Sequence, residues 1–392
     1  MIYPEYIAEI IKRIEEHGER AYMVGGCVRD SLLGITPNDF DIAVSCPPEK
    51  TMEIFSDRHV IPTGLKHGTV TVVYDREIVE LTTFRIDGSY TDSRHPDEVS
   101  FTNRIEEDLS RRDFTVNAMA YGLREGLVDI FGGREDLEAR RIRAVGKPEV
   151  RFEEDALRIL RAFRFSAQLG FEIEKETLIA AREKAEGLSR IARERIGVEF
   201  IKLLCSPDVS CALKQMKDSG VMCYVLGGYE PSIRIIDRLH SVLGSDISRL
   251  GFLLAEAEEN EAREILHSLR CSTKQIKGAL AVRRASRISV SDVISARRFI
   301  ADTGVYWESG IVASVAYGSS PHDAIELTRR ENSIPKNLSE LKINGRKLME
   351  LGFCGKDIGR ILGEILLRCV DEPTLNREEK LIELAMQYKK DE

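Results

Sequence analysis

A change in residue pattern near Glu149 is the strongest constraint on the fold of this chain. Before that point β-branched runs alternate with turn residues, as in AYMVGG, DFDIAVS, GTVTVVYD and EIVELTTF. Such runs predict strands, and the segments between them predict helices, which together make a small sheet in a mixed α/β unit. After it, long amphipathic patterns such as RFEEDALRILRAFRFSAQLGF and LSRIARERIGVEFIKLLCS predict helices. We therefore expect an α/β N-terminal part followed by an all-α remainder.

The general properties of the sequence exclude several classes of protein. No apolar run reaches the roughly 20 residues that a membrane-spanning helix needs. The first 22 residues carry charges throughout and lack a small-residue cleavage site, so they predict an amphipathic helix and no signal peptide. None of the eight cysteines forms a C-x-x-C pair, which argues against zinc ribbons and redox motifs. Free thiols without a secretion signal indicate the reducing cytoplasm.

Two carboxylates, Asp39 and Asp41, lie at the start of the predicted strand DFDIAVS. Residues two apart in a strand point to the same face, so both acids could hold a divalent ion while Phe40 turns into the core. Magnesium favours a few carboxylates together with phosphate oxygens and water, and paired ions can assist phosphoryl displacement. A bare Asp-x-Asp is more often a solvated pair at a strand edge, so the neighbouring sequence decides between these interpretations.

The segment upstream of this acid pair favours phosphate binding. Gly25 and Gly26 follow the predicted strand AYMV, and glycines let backbone N–H groups approach a triphosphate closely. Arg29 then adds a cationic donor for a phosphate oxygen. A third acid, Glu80, lies on EIVELTTF, a strand that could neighbour the acid pair. Glu80 could ligate metal, act as a base toward the attacking hydroxyl or simply face solvent.

Two arginine-rich motifs follow, DLSRRDFTVNA at 108–118 and EEDALRILRAFRF at 153–165. In the first, Arg112 and Asp113 could bind a phosphate and a ribose hydroxyl, or form an ion pair at a helix start. With GGxVRD, DxD, RRDFTxNA and EDxxRxxRxxRF in this order, the sequence resembles the class II tRNA nucleotidyltransferase and bacterial poly(A) polymerase family. The resemblance is tight over the N-terminal half and looser at ARERI (192–196) and INGR (343–346).

The resemblance implies a magnesium-dependent enzyme that adds CCA to the 3′ end of tRNA without a nucleic-acid template. Its substrates would be tRNA, CTP and ATP, and pyrophosphate would be released. The family layout and the breaks in the helical pattern predict four domains. These are a catalytic head at 1–140, a neck with the base-recognition motif at 141–205, a body at 206–326 and a tail contacting tRNA at 327–392. Glycines in the tail could admit tRNA phosphates to backbone amides or could simply cap helices.

Base choice can be explained by Asp155 and Arg158, which lie three apart and hence on one face of the predicted helix. Cytosine and adenine both present an exocyclic amine beside an unprotonated ring nitrogen, which suits a carboxylate and a guanidinium. Uracil and guanine present a carbonyl beside a ring N–H, and would be repelled. Each good bidentate pair discriminates by ~1–3 kcal/mol. The resemblance assigns base recognition to these two positions.

Arg161 and Arg164 continue the same spacing, and we expect them to contact nucleotide or phosphate rather than to form a solvated stripe paired with Glu153 and Glu154. Together with Arg111, Arg112 and Arg158, these two arginines form a local positive patch that the net charge of −8 hides. The predicted site comprises Asp39 and Asp41 for catalysis and metal binding, and Gly26, Arg29, Arg112, Asp113, Asp155, Arg158, Arg161 and Arg164 for nucleotide binding.

The product is constrained by TFRIDGSYTDSRHP at 83–96, whose composition predicts a mobile loop. In the family an intact loop here accompanies A addition, and relatives that add only CC are shortened, so a CC-only enzyme is disfavoured. Poly(A) polymerase relatives usually carry basic extensions, whereas this chain begins almost directly with its first helix. We therefore favour CCA addition over A-only or poly(A) addition. Intact site residues argue against a non-catalytic RNA-binding relative.

Overall fold

The computed structural model describes residues 1–74, 76–87, 99–242 and 245–389. The chain divides into two compact units, Met1–Gly228 and Tyr229–Glu392. The strands of the first unit are β1 Ala21–Val24, β2 Asp41–Val44, β3 His59–Gly64, β4 Thr69–Tyr74, β5 Glu77–Thr83, β6 Arg85–Asp87, β7 Val99–Phe101, β8 Ala120–Gly122, β9 Gly126–Val128, β10 Arg141–Ile142 and β11 Glu172–Ile173. Its helices are α1 Glu5–Glu16, α2 Gly26–Leu32, α3 Pro48–Ile54, α4 Ile105–Ser110, α5 Gly133–Glu138, α6 Pro148–Glu154, α7 Leu157–Leu169, α8 Lys175–Glu183, α9 Arg193–Leu204, α10 Val209–Asp218 and α11 Val221–Leu226.

A seven-stranded sheet forms the centre of the α/β part, in the order β3-β4-β5-β2-β1-β8-β9. Strand β2 pairs antiparallel with β1 and parallel with β5, and the other neighbours in this sheet are antiparallel. The last three residues of β2 are buried, whereas its first residue, Asp41, is open to solvent. The sheet therefore presents this carboxylate at the end of an otherwise buried strand.

The sequence-based prediction of an α/β head followed by helices is confirmed, as are the strands β1, β4 and β5. One detail at the acid pair was wrong. Strand β2 begins at Asp41, so Asp39 and Phe40 precede the strand instead of lying within it. Phe40 nevertheless packs inward, with 9% of its surface exposed. Of the loop predicted at 83–96, residues 88–96 lie outside the described residues.

The helical part of the first unit is built around α7 and α9, which pack against each other. Phe163 on α7 and Phe200 on α9 are fully buried. The single helix predicted over 151–171 is instead two helices, because Asp155 is extended (φ −146°, ψ 102°) between α6 and α7. The premise that Asp155 and Arg158 share a helical face was therefore wrong. A short parallel pair, β10 with β11, also interrupts the predicted all-α region.

The second unit is helical throughout its described part. Its helices are α12 Ile233–Arg238, α13 Asp246–Leu253, α14 Glu259–Ser268, α15 Thr273–Ala285, α16 Val293–Thr303, α17 Trp307–Tyr317, α18 Ala324–Arg330, α19 Gly345–Glu350, α20 Lys356–Asp371 and α21 Glu378–Gln387. Asn344 caps α19 by accepting from the Lys347 N–H at 3.0 Å, as its capping interpretation requires. Among the described residues, no helix is long and apolar enough to cross a membrane.

Candidate active site

One cavity of about 610 Å³ in the first unit brings together all ten residues that the sequence predicted for the site. They come from the start of α2, the β2 entry, the turn after α4, the α6–α7 break and α7 itself. The cavity is also lined by residues that sequence reasoning did not assign to the site, among them Cys27, Asp30, Arg111, Asn117, Phe165, Gln168 and Arg195. Its lining is rich in arginines and aspartates, as a site for a charged substrate requires.

The acid pair lies where negative charge is concentrated. Asp41 stands opposite Glu80 of the parallel neighbour β5. Although Asp41 is open to solvent on one side, the protein atoms around its carboxylate desolvate it and raise its pKa; Arg112 lowers the pKa, and the charges of Asp39 and Glu80 raise it further, so that the net shift is upward. Within the described residues, no three His, Cys, Asp or Glu side chains are grouped closely enough to hold a metal ion alone. Two neighbouring carboxylates such as Asp39 and Asp41 suit a divalent ion that takes its remaining ligands from substrate and water.

The turn before α2 leaves room for an arginine. Gly25 has φ +73°, a backbone conformation that favours glycine, and a Cβ there would lie 3.0 Å from Nη1 of Arg112. Glycine therefore allows both this backbone conformation and the close approach of the Arg112 side chain. Arg29 is 4% exposed; its Nε donates to Asp30 at 2.8 Å and its Nη1 to Asn117 at 2.7 Å. Protein partners thus fix Arg29 firmly, and only its remaining donors are open to a phosphate.

Asp113 is fully engaged by protein donors. Its Oδ2 lies 2.8 Å from Nε and 2.7 Å from Nη2 of Arg161, while its Oδ1 accepts from the Phe114 N–H and from Asn117. A carboxylate offers about four acceptor positions, so all are occupied. Burial alone would raise the pKa of Asp113, but Arg161, Asn117 and Arg158 outweigh it and hold the pKa at about 2.

We expect Asp113→Asn to lower the free energy of unfolding by about 2 kcal/mol at pH 7. The folded-state pKa of about 2 lies below the ordinary value of 3.8. Asp113 therefore contributes stability that is complete above the unfolded pKa and is lost as the pH falls toward 2. Urea unfolding should show a constant gap between wild type and variant near neutral pH that shrinks below pH ~4. A gap that does not change with pH would contradict this, and Asp218→Asn, at an exposed aspartate at the end of α10, serves as control.

The two proposed base-reading residues have separate partners in this structure. Asp155 accepts from Nη2 of Arg195 at 2.7 Å, and its Oδ1 caps the Leu157 N–H at 3.0 Å. Arg158 donates from Nη1 to Glu154 and from Nη2 to the main-chain oxygen of Arg111 at 2.9 Å. The two side chains line the same cavity without bonding to each other. Asp155 and Arg158 are thus each held in place by other residues and not by each other.

Arg161 and Arg164 also line the cavity, one helical turn apart on α7. Arg161 is paired with Asp113, and Nη1 of Arg164 donates to Gln168 at 2.9 Å. The alternative that the sequence disfavoured, a surface stripe in which Glu153 and Glu154 pair with these two arginines, is absent from the described ion pairs, since Glu153 pairs with Lys184 and Glu154 with Arg151 and Arg158. The sequence signal for Arg195 was present in ARERI, where an arginine stands in the first turn of α9.

Comparison with known proteins identifies the family. The model of the poly A polymerase head domain matches residues 21–143, and that of the probable RNA and SrmB-binding site of polymerase A matches residues 170–233. A CCA-adding enzyme of Leuconostoc mesenteroides is 36% identical over 98% of this chain and 96% of its own length. One of Geobacillus kaustophilus is 37% identical over 91% of this chain and 89% of its own.

Solved structures agree with these relatives. The crystal structure of the Bacillus stearothermophilus CCA-adding enzyme in complex with CTP has a TM-score of 0.87 and 32% identity, covering 100% of this chain and 99% of that one. The Thermotoga maritima CCA-adding enzyme complexed with tRNA-CCA shares the fold at a TM-score of 0.72 and 24% identity, over 99% and 96% of the two chains. The resemblance seen in the motifs is thereby confirmed. With more than a third of its residues identical over nearly its whole length, the chain belongs to the CCA-adding enzyme family of tRNA nucleotidyltransferases.

Proposed function

We propose that this protein adds CCA to the 3′ end of tRNA, taking its nucleotides from CTP and ATP without a nucleic-acid template. The observation that carries the proposal is a single cavity that holds Asp39 and Asp41 together with Asp155 and Arg158. One pair suits phosphoryl chemistry and the other suits the shared edge of cytosine and adenine. The names of the relatives, and the CTP bound to the Bacillus stearothermophilus enzyme, support these partners.

The reaction is a nucleotidyl transfer. The tRNA 3′ hydroxyl attacks the α-phosphorus, a new phosphorus–oxygen bond forms, the bond to the β-phosphate breaks, and pyrophosphate leaves. Membership of the family implies a requirement for a divalent metal ion, and we propose that it is Mg²⁺ held by Asp39 and Asp41. Two such ions would activate the attacking hydroxyl and neutralise charge on the leaving pyrophosphate. Arg112, beside Gly25, would compensate charge on the triphosphate.

The remaining predicted residues are proposed to hold the nucleotide. Gly26 and Arg29 would approach the phosphates from the start of α2, and Arg161 and Arg164 from α7. Asp113 would bind a ribose hydroxyl only by exchanging one of its present donors, and otherwise acts through Arg161. These roles are supported by the shared cavity and by the alternating charges of its lining.

Base choice is proposed to rest on Asp155 and Arg158. The carboxylate of Asp155 would accept from the exocyclic amine of cytosine or adenine, and Arg158 would donate to the adjacent ring nitrogen. Arg158 has five N–H donors, of which the described bonds use three, so two remain for a base. The bonds to Arg195 and to Arg111 supply the fixed orientation that such recognition needs.

The division of labour along the chain is also a proposal. We infer a catalytic head at 1–140, a base-reading neck at 141–205, a body at 206–326 and a tail that contacts tRNA at 327–392. The protein is proposed to act in the cytoplasm, and its free cysteines support a reducing compartment.

The function is tested by supplying the purified protein with tRNA lacking CCA, tRNA ending in CC, and an unrelated RNA, each with labelled CTP or ATP. We expect CTP to be incorporated into the first substrate and ATP into the second, with the unrelated RNA left unchanged. Incorporation of ATP alone into tRNA ending in CC would identify an A-adding enzyme. Long A tails on the unrelated RNA would identify a poly(A) polymerase. Chelation should stop incorporation, and Mg²⁺ should restore it.

A further inference from the structure

Glu199 on α9 is a buried carboxylate placed beside two arginines of the active-site cavity. It is 6% exposed, and it does not itself line the cavity. Its Oε2 lies 2.7 Å from Nε of Arg164, and its Oε1 lies 3.7 Å from Nη1 of Arg161. Burying a carboxylate destabilises the fold unless the charge is paired, and here the interaction with the two arginines offsets the free energy of desolvation.

The two arginines need such a counter-charge because they crowd onto one aromatic ring. The guanidinium carbon of Arg164 lies 3.7 Å from the centre of the Phe165 ring, that of Arg161 5.2 Å and that of Arg29 5.3 Å. Stacking on the ring face attracts each cation, but the three positive charges repel one another. Burial lowers the pKa of Arg164, the charge of Glu199 raises it, and Arg161 lowers it again, with a net downward shift.

Asp113 and Glu199 divide the task of compensation. Asp113 pairs with Arg161 through two contacts of 2.8 and 2.7 Å, whereas the distance from Arg161 to Glu199 is 3.7 Å. Among the described ion pairs, Arg164 contacts one acid, Glu199. The Nε–H of Arg164 and Oε2 of Glu199 are close, yet neither has a hydrogen-bond partner of good geometry, so their contact is ionic and not an aligned hydrogen bond. Only the terminal nitrogens of Arg164 are then left to face Gln168 and the cavity.

We propose that Glu199 is a positioning residue for nucleotide binding, which holds Arg164, and secondarily Arg161, in the orientation that meets the incoming triphosphate. Glu199 touches no substrate and takes no part in the chemistry. It fixes the guanidinium groups against their mutual repulsion, so that the cavity is organised before the nucleotide arrives. The inference rests on the proposed function, because it assumes that this cavity binds CTP and ATP.

The test is the neutral, nearly isosteric substitution Glu199→Gln in the full-length protein. We expect the KM for CTP and for ATP to rise about tenfold, as the loss of one charge-assisted contact implies, with kcat changed by less than about twofold. The KM for tRNA should stay the same. The Kd for CTP, measured by calorimetry without turnover, should rise in parallel with KM. A thermal unfolding curve separates this effect from a loss of folded protein.

Two comparisons make the result specific to the arginine. Arg164→Ala should raise KM for CTP similarly, and adding Glu199→Gln to it should cause little further change, because both act through one contact. Lys202→Ala removes the exposed lysine that lies 3.6 Å from the same carboxylate, and should leave KM unchanged. If Glu199→Gln does not fold, Glu199→Asp keeps the charge but withdraws it from Arg164, and the same rise in KM is expected.

The opposite outcomes are equally distinct. A lower unfolding temperature with unchanged KM and Kd for CTP would overturn the proposal and leave Glu199 a purely structural residue. Additive effects in the double variant would also overturn it, since the two residues would then act separately. Failure of the wild-type protein to incorporate CTP or ATP would instead count against the proposed function. The Kd for CTP of wild type and Glu199→Gln, measured by calorimetry, would still test the role of Glu199 in nucleotide binding.

Discussion

Nucleotide incorporation should fall on the order of 10³-fold or more when Asp41 is replaced by Asn, because the change removes a charge that the metal site requires. The substitution preserves shape, and β2 is otherwise held by buried neighbours. Asp41 lies beside Asp39 and Glu80, and their repulsion is relieved by a neutral side chain. The fold should therefore tolerate Asp41→Asn or even gain stability from it. Activity and stability are thus expected to change in opposite directions.

The measurement is steady-state incorporation of labelled CTP into tRNA lacking CCA, together with tRNA binding and thermal unfolding of the same preparations. Asp39→Asn should give a similar loss. Asp57→Asn changes an exposed aspartate of the same unit, paired with Arg13, and should leave activity intact. If Asp41→Asn retains more than a few per cent of wild-type incorporation, the metal assignment is wrong. If tRNA binding is lost as well, the site contributes to RNA contact and not to chemistry alone.

Replacing Arg158 with Ala is expected to weaken discrimination against UTP and GTP by about 5- to 150-fold, corresponding to the ~1–3 kcal/mol of one bidentate pair. Two effects combine in this result. The correct bases lose a donor to their ring nitrogen, so kcat/KM for CTP and ATP falls. The wrong bases lose an opposing N–H, so they are no longer repelled. Arg158 also holds Glu154 and the main chain of Arg111, so some loss of overall activity should accompany the change.

The measurement is the ratio of kcat/KM values for CTP and UTP, and for ATP and GTP, on matched tRNA substrates. Ratios are the suitable quantity, because a general loss of activity cancels from them. Asp155→Asn should also weaken discrimination, since an amide can turn either its donor or its acceptor toward the base. Arg182→Ala removes an exposed arginine of α8 outside the cavity and serves as the matched control. Unchanged rejection of UTP by Arg158→Ala would refute the pairing scheme.

Much of the fold could be predicted because its signals are local. The β-branched runs that form β4 and β5, and the two glycines at the start of α2, depend on neighbours in sequence alone. Charged motifs were likewise enough to choose the residues that meet in the cavity. What residue spacing could not give was the break at Asp155, because an amphipathic period continues through it. At that break Asp155 caps the N–H of Leu157 and pairs with Arg195, and the second contact, with a residue 40 positions away, is not visible in the sequence.

The support beneath the cavity was the least predictable part. Glu199 lies in an ordinary amphipathic helix, and its sequence neighbours do not distinguish it from a solvent-facing acid. Its burial follows only from the packing of α9 on α7, which long-range contacts decide. Asp113 offers a similar lesson, because its motif suggests a ligand contact while its four acceptor positions are filled by protein donors. A positioning residue is recognised by the side chains that it contacts in the folded protein, and the sequence alone does not show these contacts.

The bond between Arg195 and Asp155 has a consequence for how biological information is kept. Under the proposed function, three nucleotides of every tRNA need not be written in any tRNA gene. Their identity is specified by the protein, through the side chains of Asp155 and Arg158 that select the base and through Arg195, which fixes the orientation of Asp155. A mutation in a tRNA gene alters one tRNA, whereas a substitution at Asp155, Arg158 or Arg195 would alter the 3′-terminal nucleotides of every tRNA on which the enzyme acts. The inheritance of that shared ending therefore depends on a handful of codons in a protein.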